Sequence, residues 1–130
     1  WGNKIEEKIK KTRTVKFLGK INQEKVNEVL AGASILVNTS LREGFSNTFI
    51  QAWMRKVPVI SLAVNPDSVF DKWRVGLCSG SYQMLINDVS RLIKNHELRE
   101  NMGGCAQEFA YNNFSEKEVQ KLINLISINK

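Results

Sequence analysis

Residues 38–51, NTSLREGFSNTFIQ, decide how the rest of the chain is read. The stretch leaves a short apolar run, Ile35 to Asn38, turns through Gly44, and opens a helix at Ser46 or Asn47 that is predicted to reach about Lys56. A strand that turns through glycine into a helix makes an anion site. The backbone amides of Phe45, Ser46, Asn47 and Thr48 then stand without intrahelical partners at the positive end of the helix dipole, which suits a diphosphate. Gly44 lets a ligand approach the backbone closely. Glu43 precedes the turn and Gln51 lies about one helical turn beyond it, so two hydrogen-bonding side chains flank the cradle, as ribose and sugar hydroxyls require. Many helices that begin Ser-Asn-Thr after a glycine bind nothing, so on these residues alone a ligand site and an ordinary helix start both stay open.

Outward from this stretch, apolar periodicity alternates between short β-rich runs and helical segments, the pattern of an α/β architecture with a parallel sheet. Four strands are expected: Thr14 to Leu18 (TVKFL), Ile35 to Asn38 (ILVN), Val59 to Leu62 (VISL) and Leu77 to Ser79. The first is the most amphipathic and the middle two are the most buried. Between the first two, Asn22 caps a helix with Glu24 in its first turn, Ile21 stapled to Val26, and Gly32 at its end. Pro66 opens a short helix or turn.

The last 50 residues read as three helices. Their apolar stripes are Leu85, Val89 and Leu92; Leu98, Met102, Cys105 and Phe109; and Val119, Leu122, Ile123 and Ile126. Ser115 and Glu118 form a capping box for the last helix, with Phe114 and Val119 as its staple. Gly103 and Gly104 weaken the middle helix, since each costs about 1 kcal/mol relative to alanine.

Composition bounds the alternatives. With 130 residues, 42% hydrophobic and 25% charged, the chain holds at most one globular core. No apolar run approaches the roughly 20 residues of a spanning helix, and WGNKIEEKIKK lacks a signal peptide's apolar region, so a soluble, cytoplasmic chain is expected. Cys78 and Cys105 have no Cys or His at ligand spacing, and both are expected to be reduced, buried thiols. Of the net charge of +6, residues 1–20 hold +5: Lys4, Lys8, Lys10, Lys11, Arg13, Lys16 and Lys20 against Glu6 and Glu7. Such a cluster makes either a solvated helix face or a contact with an anion: the inner face of an anionic membrane, met peripherally, a nucleic acid or a phosphorylated substrate. His96 has no companion ligand or base and reads as a surface residue. Trp1, Trp53 and Trp73 read as packing residues, and no nucleic-acid partner is expected, because they are not clustered with basic residues. Nothing calls for a metal or a cofactor.

EGFSNTFIQAWMRKVPVIS resembles the core motif of retaining glycosyltransferases of the GT-B fold, the group-1 or family-4 type. The resemblance extends over nearly the whole chain. VKFLG is similar to that family's "flG" strand, ILVNTSLREGF to its "v.pS..EGf" segment, VNPDSVFDKWRVGLCSG to its loop and following strand, and LIKNHELRENMGGCAQEFAYNNFSEKEV to its C-terminal helices. The resemblance implies an incomplete C-terminal, donor-binding domain with a Rossmann-like parallel sheet flanked by helices. Trp1 in place of an initiating Met, within what looks like a strand-to-helix junction, marks the chain as N-terminally truncated. Two upstream strands, an Arg and a Lys that neutralise the diphosphate, and the acceptor-holding N-terminal domain would then lie outside it.

By the same resemblance, the donor substrate is a nucleotide-diphosphate sugar and the acceptor a saccharide or a lipid-linked sugar. Glu43 takes the place of the carboxylate associated with the transferred sugar, and the amides of residues 44–48 take the diphosphate. Gln51 stands where a second Glu usually meets the ribose; an amide still accepts from a hydroxyl but lacks the charge that strengthens such a bond. Ile21 falls in a segment near the nucleobase. Ser40 is either a pocket-shaping residue or a turn residue satisfying local backbone groups. Two rivals remain: a nonhydrolysing sugar epimerase of the same fold, and a non-catalytic nucleotide-binding or interaction module. In the strand order 3-2-1-4-5-6, absence of strands 1 and 2 would leave VKFLG separated from ILVN by two vacancies, with exposed edges and low stability.

Overall fold

The computed structural model describes residues 2–117. In chain order it contains α1 (Gly2–Lys10), α2 (Gln23–Ala31), β1 (Leu36–Asn38), α3 (Asn47–Trp53), β2 (Val59–Ser61), a 3₁₀ turn (Pro66–Ser68), α4 (Val69–Trp73), β3 (Gly76–Cys78), α5 (Tyr82–Lys94) and α6 (His96–Phe114). The three strands form one parallel sheet in the order β1-β2-β3, with Leu36 opposite Val59 and Val59 opposite Gly76. Strands after the first helix are thus laid down successively in one direction, as crossovers through helices require.

Every residue of β2 is buried, and Pro58 sits just ahead of it, where its missing N–H costs no ladder bond. Successive side chains of a strand point to opposite faces, and here they feed two cores. Val59 joins the larger core with Phe49, Trp53, Phe70, Val75, Ala106 and Phe109. Ile60 and Leu62 join the smaller one with Leu85 and Leu92 of α5. The sheet is therefore covered on both faces, which is why the stretch from Val57 to Leu62 reads as apolar but for Ser61, whose hydroxyl oxygen accepts from the Val64 amide at 3.0 Å.

Three expectations need correction. The segment Thr14 to Leu18 is not a strand: it has no ladder partner among the described residues, and its Val15 amide donates to the Thr12 carbonyl at 3.2 Å, as in a turn. A β propensity cannot be realised without a neighbouring strand to take its N–H and C=O groups, and Val15 and Phe17 are accordingly exposed. Second, β1 is an edge strand with Val37 exposed, so only β2 is fully buried. Third, Cys78 is exposed, because it ends β3 on the opposite edge of the sheet; Cys105 is partly buried, and both thiols are free.

Other expectations hold. Asn22 caps α2, its side-chain oxygen accepting from the Lys25 amide at 2.9 Å, and Gly32 closes that helix. Trp53 is fully buried and its indole N–H donates to the Val75 carbonyl at 3.0 Å. Trp73 is half exposed but stacks against Phe109 at 5.5 Å. Two helices, α5 and α6, carry the first and second predicted stripes; the stripe Val119 to Ile126 and its capping box lie outside the described residues.

α6 continues through Gly103 and Gly104, and the structure shows why the first glycine is there. Lys56 closes α3 in the left-handed region at φ 59°, with the Val57 amide donating back to Ala52. That turn thrusts the Lys56 carbonyl at α6, where a Cβ on residue 103 would lie 2.2 Å from its oxygen. A glycine that lowers helix propensity thus permits a close approach of α6 to the turn at Lys56.

All seven cations of residues 4–20 are exposed, as a solvated face requires. Among the described residues no helix is long and apolar enough to cross a membrane.

Candidate functional site

The loop leaving β1 carries Glu43 to Ser46 and delivers the chain into α3 at the carboxyl edge of the sheet. Its base is firm. The Asn38 carbonyl accepts from the Leu62 amide at 2.8 Å, which ties the end of β1 to the buried central strand. Phe45 anchors the far side of the loop, its ring lying 5.9 Å from Trp53 and 5.4 Å from Phe114 in edge-on and tilted contacts. Aromatic pairs of this kind add about 0.5–1.5 kcal/mol beyond burial. The backbone of the turn is thereby held between a strand and an aromatic cluster.

Ser46 is the N-cap of α3, with extended backbone, and its side chain makes no capping bond. The first backbone bond of the turn is the Phe49 amide to the Ser46 carbonyl at 3.1 Å. The amides of Asn47 and Thr48 therefore have no partner within the helix, by the geometry of any helix start. A Cβ at Gly44 would meet nothing within 4 Å, so the protein itself does not demand glycine there.

A concave pocket of about 160 Å³ opens beside this turn, lined by Leu36, Val37, Asn38, Ser40, Glu43, Ser46, Thr48 and Phe49. Of the residues singled out in the sequence, Glu43, Ser46 and Thr48 converge on it, with Ser40 on its wall. Ser40 donates its backbone amide to the Asn38 side-chain oxygen at 3.0 Å, an Asx-type turn bond in which Asn38, not the Ser40 hydroxyl, is the side chain that satisfies the backbone. The pocket is smaller than the roughly 300–1,000 Å³ that encloses a whole small-molecule ligand. Its lining includes no Lys or Arg, which leaves N–H and O–H dipoles to meet an anion here.

Gln51, Gly44, Phe45, Asn47 and Ile21 are not on this wall. Gln51 faces α2 instead, where its Nε2 donates to Gln23 Oε1 at 2.6 Å, while its own side-chain oxygen is buried without a partner. This bond ties the middle of α3 to the segment just after Ile21. Sequence reading missed Asn38 and Gln23. Asn38 had a detectable signal, a polar amide ending an apolar strand; Gln23 had none, since its partner is 28 residues away.

Larger hollows lie elsewhere. One of about 410 Å³ sits between α1 and the Thr12 to Phe17 segment, lined by Ile9, Val15 and Phe17 among Lys10, Arg13 and Lys16. It is the space left beside a strand-like segment that has no strand to pair with, and it gathers none of the loop residues above.

A parallel sheet clothed by helices on both faces, with a glycine turn at the carboxyl end of a strand, defines a Rossmann-like α/β protein. The chain belongs to the glycosyl transferases group 1 family, whose model matches residues 1–95. It is also similar to N-acetyl-alpha-D-glucosaminyl L-malate synthase of Bacillus anthracis, with 31% identity over 108 residues, 81% of this chain and 28% of the relative. The chain thus spans little more than a quarter of that relative's length.

Proposed function

We propose that this chain is the donor-binding part of a retaining glycosyltransferase, which transfers a hexosyl group from a nucleotide-diphosphate sugar to a saccharide or lipid-linked acceptor. The observation that carries the reading is the convergence of Glu43, Ser46 and Thr48 on one pocket at the end of β1, in a chain of this family. In transfer, the bond from the sugar's anomeric carbon to the diphosphate oxygen breaks with its electron pair leaving on that oxygen, an acceptor hydroxyl oxygen bonds to the anomeric carbon, and the hydroxyl proton passes to the leaving diphosphate. Amides of Phe45 to Thr48 and the hydroxyls of Ser46 and Thr48 stabilise that developing charge without reorganising. Glu43 holds the sugar hydroxyls, Gln51 serves the ribose, and Ile21 serves the base. Gln51 Nε2 is engaged by Gln23, and its Oε1, buried without a protein partner, is the atom left to accept from a ribose hydroxyl.

The Bacillus anthracis relative is named for a glucosaminyl group joined to L-malate, and this favours a second acceptor class, a small hydroxy acid. The exposed cations of residues 4–20 supply a peripheral membrane contact in the same proposal; vesicle co-sedimentation that ignores lipid charge refutes this part.

The test is donor turnover by the full-length protein with product analysis. Glu43→Ala is expected to lower turnover on the order of 100-fold, as loss of a positioning contact does. Turnover equal to the parent removes Glu43 from the mechanism, and an epimerised nucleotide sugar without transfer assigns the protein to the rival epimerase class.

A further inference from the structure

We propose that Asn38 is a positioning residue that aims the Glu43 carboxylate into the pocket, a role that rests on the donor-site reading above. Asn38 ends β1 opposite Ser61, which is fully buried, and its carbonyl is held by the Leu62 amide at 2.8 Å. The backbone from which its side chain projects is therefore fixed by the centre of the sheet. Both ends of that side chain are used. Oδ1 accepts from the Ser40 amide at 3.0 Å, and Nδ2 donates to Glu43 Oε2 at 3.3 Å.

The orientation of the amide follows from its partners. A backbone N–H can only donate and a carboxylate can only accept, so Oδ1 has to face Ser40 and Nδ2 has to face Glu43. Glu43 is exposed, five residues further along a loop, and Asn38 supplies its polar contact among the described residues. A free carboxylate on such a loop samples several rotamers, and a misplacement of about 1 Å at a reacting centre costs on the order of 100-fold in rate. Asn38 removes that freedom. It acts on the sugar through Glu43 and on the loop through Ser40, and the two actions can be separated chemically.

Asn38→Asp separates them. The two side chains have the same shape; Asp still accepts from the Ser40 amide, but it presents a like charge to Glu43 in place of a donor. In the full-length protein, Asn38→Asp is expected to lower kcat about 10- to 100-fold. The thermal midpoint stays near the parent's; because Asn38 also lines the pocket, the added charge weakens the affinity for a nucleoside diphosphate as well, so kcat is read at saturating donor. In a Glu43→Ala background, Asn38→Asp is expected to change kcat no further, because the group it acts through is gone. Parental kcat in the single variant, or the same loss with and without Glu43, overturns the positioning role. If Glu43→Ala alone turns over like the parent, the donor-site reading fails first and the role of Asn38 falls with it; only that outcome shows no loss in the Glu43 variant.

Discussion

Two neighbouring glycines in one helix are expected to respond to the same substitution with opposite signs. At Gly103, an alanine Cβ would stand 2.2 Å from the Lys56 carbonyl oxygen and 3.1 Å from its carbon, where ordinary contact begins near 3.4 Å. Backbone on both sides has to part by about 1 Å, yet α6 carries Ala106, Phe109 and Ala110 into a core packed as densely as an organic crystal. Overpacking costs about 1–3 kcal/mol, an overlap this deep with backbone belongs to the upper part of that range, about 2–3 kcal/mol, and removing a mid-helix glycine returns about 1 kcal/mol, so Gly103→Ala is expected to destabilise by about 1–2 kcal/mol. At Gly104 the Cβ meets nothing within 4 Å, and Gly104→Ala should stabilise by about 0.5–1 kcal/mol. The two variants then differ by about 1.5–3 kcal/mol, or roughly 6–12 °C in thermal midpoint at about 4 °C per kcal/mol. Thermal unfolding followed by circular dichroism measures both. Midpoints that shift in the same direction would refute the packing of α6 against the turn at Lys56.

Phe45→Ala is expected to cost about 1.5–2.5 kcal/mol in urea unfolding, roughly half a buried phenylalanine because the ring is 39% exposed, and to loosen the loop that carries Glu43. Gly44→Ala should leave stability within about 0.5 kcal/mol of the parent, since the new methyl has open space, while weakening nucleoside-diphosphate affinity about 10-fold, which titration calorimetry would read. Although Cys78 is an exposed residue, partial desolvation of its sulfur, reinforced by Asp71 and opposed by a backbone bond from Gly80, pushes the thiol up from its ordinary range. In a Cys105→Ser background, alkylation of Cys78 should therefore lag an unhindered thiol at pH 8 to 9 and speed up with Asp71→Asn. Because the folded value is the higher one, this thiol's contribution to stability is full below its unfolded range and is lost as pH rises through the folded one.

Much of the fold was legible because the signals were local. The Asn22 cap, the Ser46 helix start and the buried VIS strand each depend on a few adjacent residues, and each stands within a residue or so of its expected place. TVKFL failed because a strand is a relation between two segments, and its own alternation cannot supply the partner. Cys78 failed for a related reason: a small thiol in an apolar run reads as core, whereas it ends an edge strand. Gly103 looked like a defect in a helix until the Lys56 carbonyl, 47 positions away, gave it a purpose. In the site, the turn and its amides follow from the order Glu-Gly-Phe-Ser-Asn-Thr, but the Gln51 to Gln23 bond and the Asn38 to Glu43 bond depend on side-chain placement that no spacing rule encodes.

Binding of a nucleoside diphosphate followed by amide chemical shifts tests the central claim most directly. The account predicts that the largest saturable shifts fall on the amides of Phe45, Ser46, Asn47 and Thr48, and that inorganic pyrophosphate moves the same four. Shifts confined to the exposed lysines of residues 4–20, with these amides unmoved at saturating ligand, would contradict it.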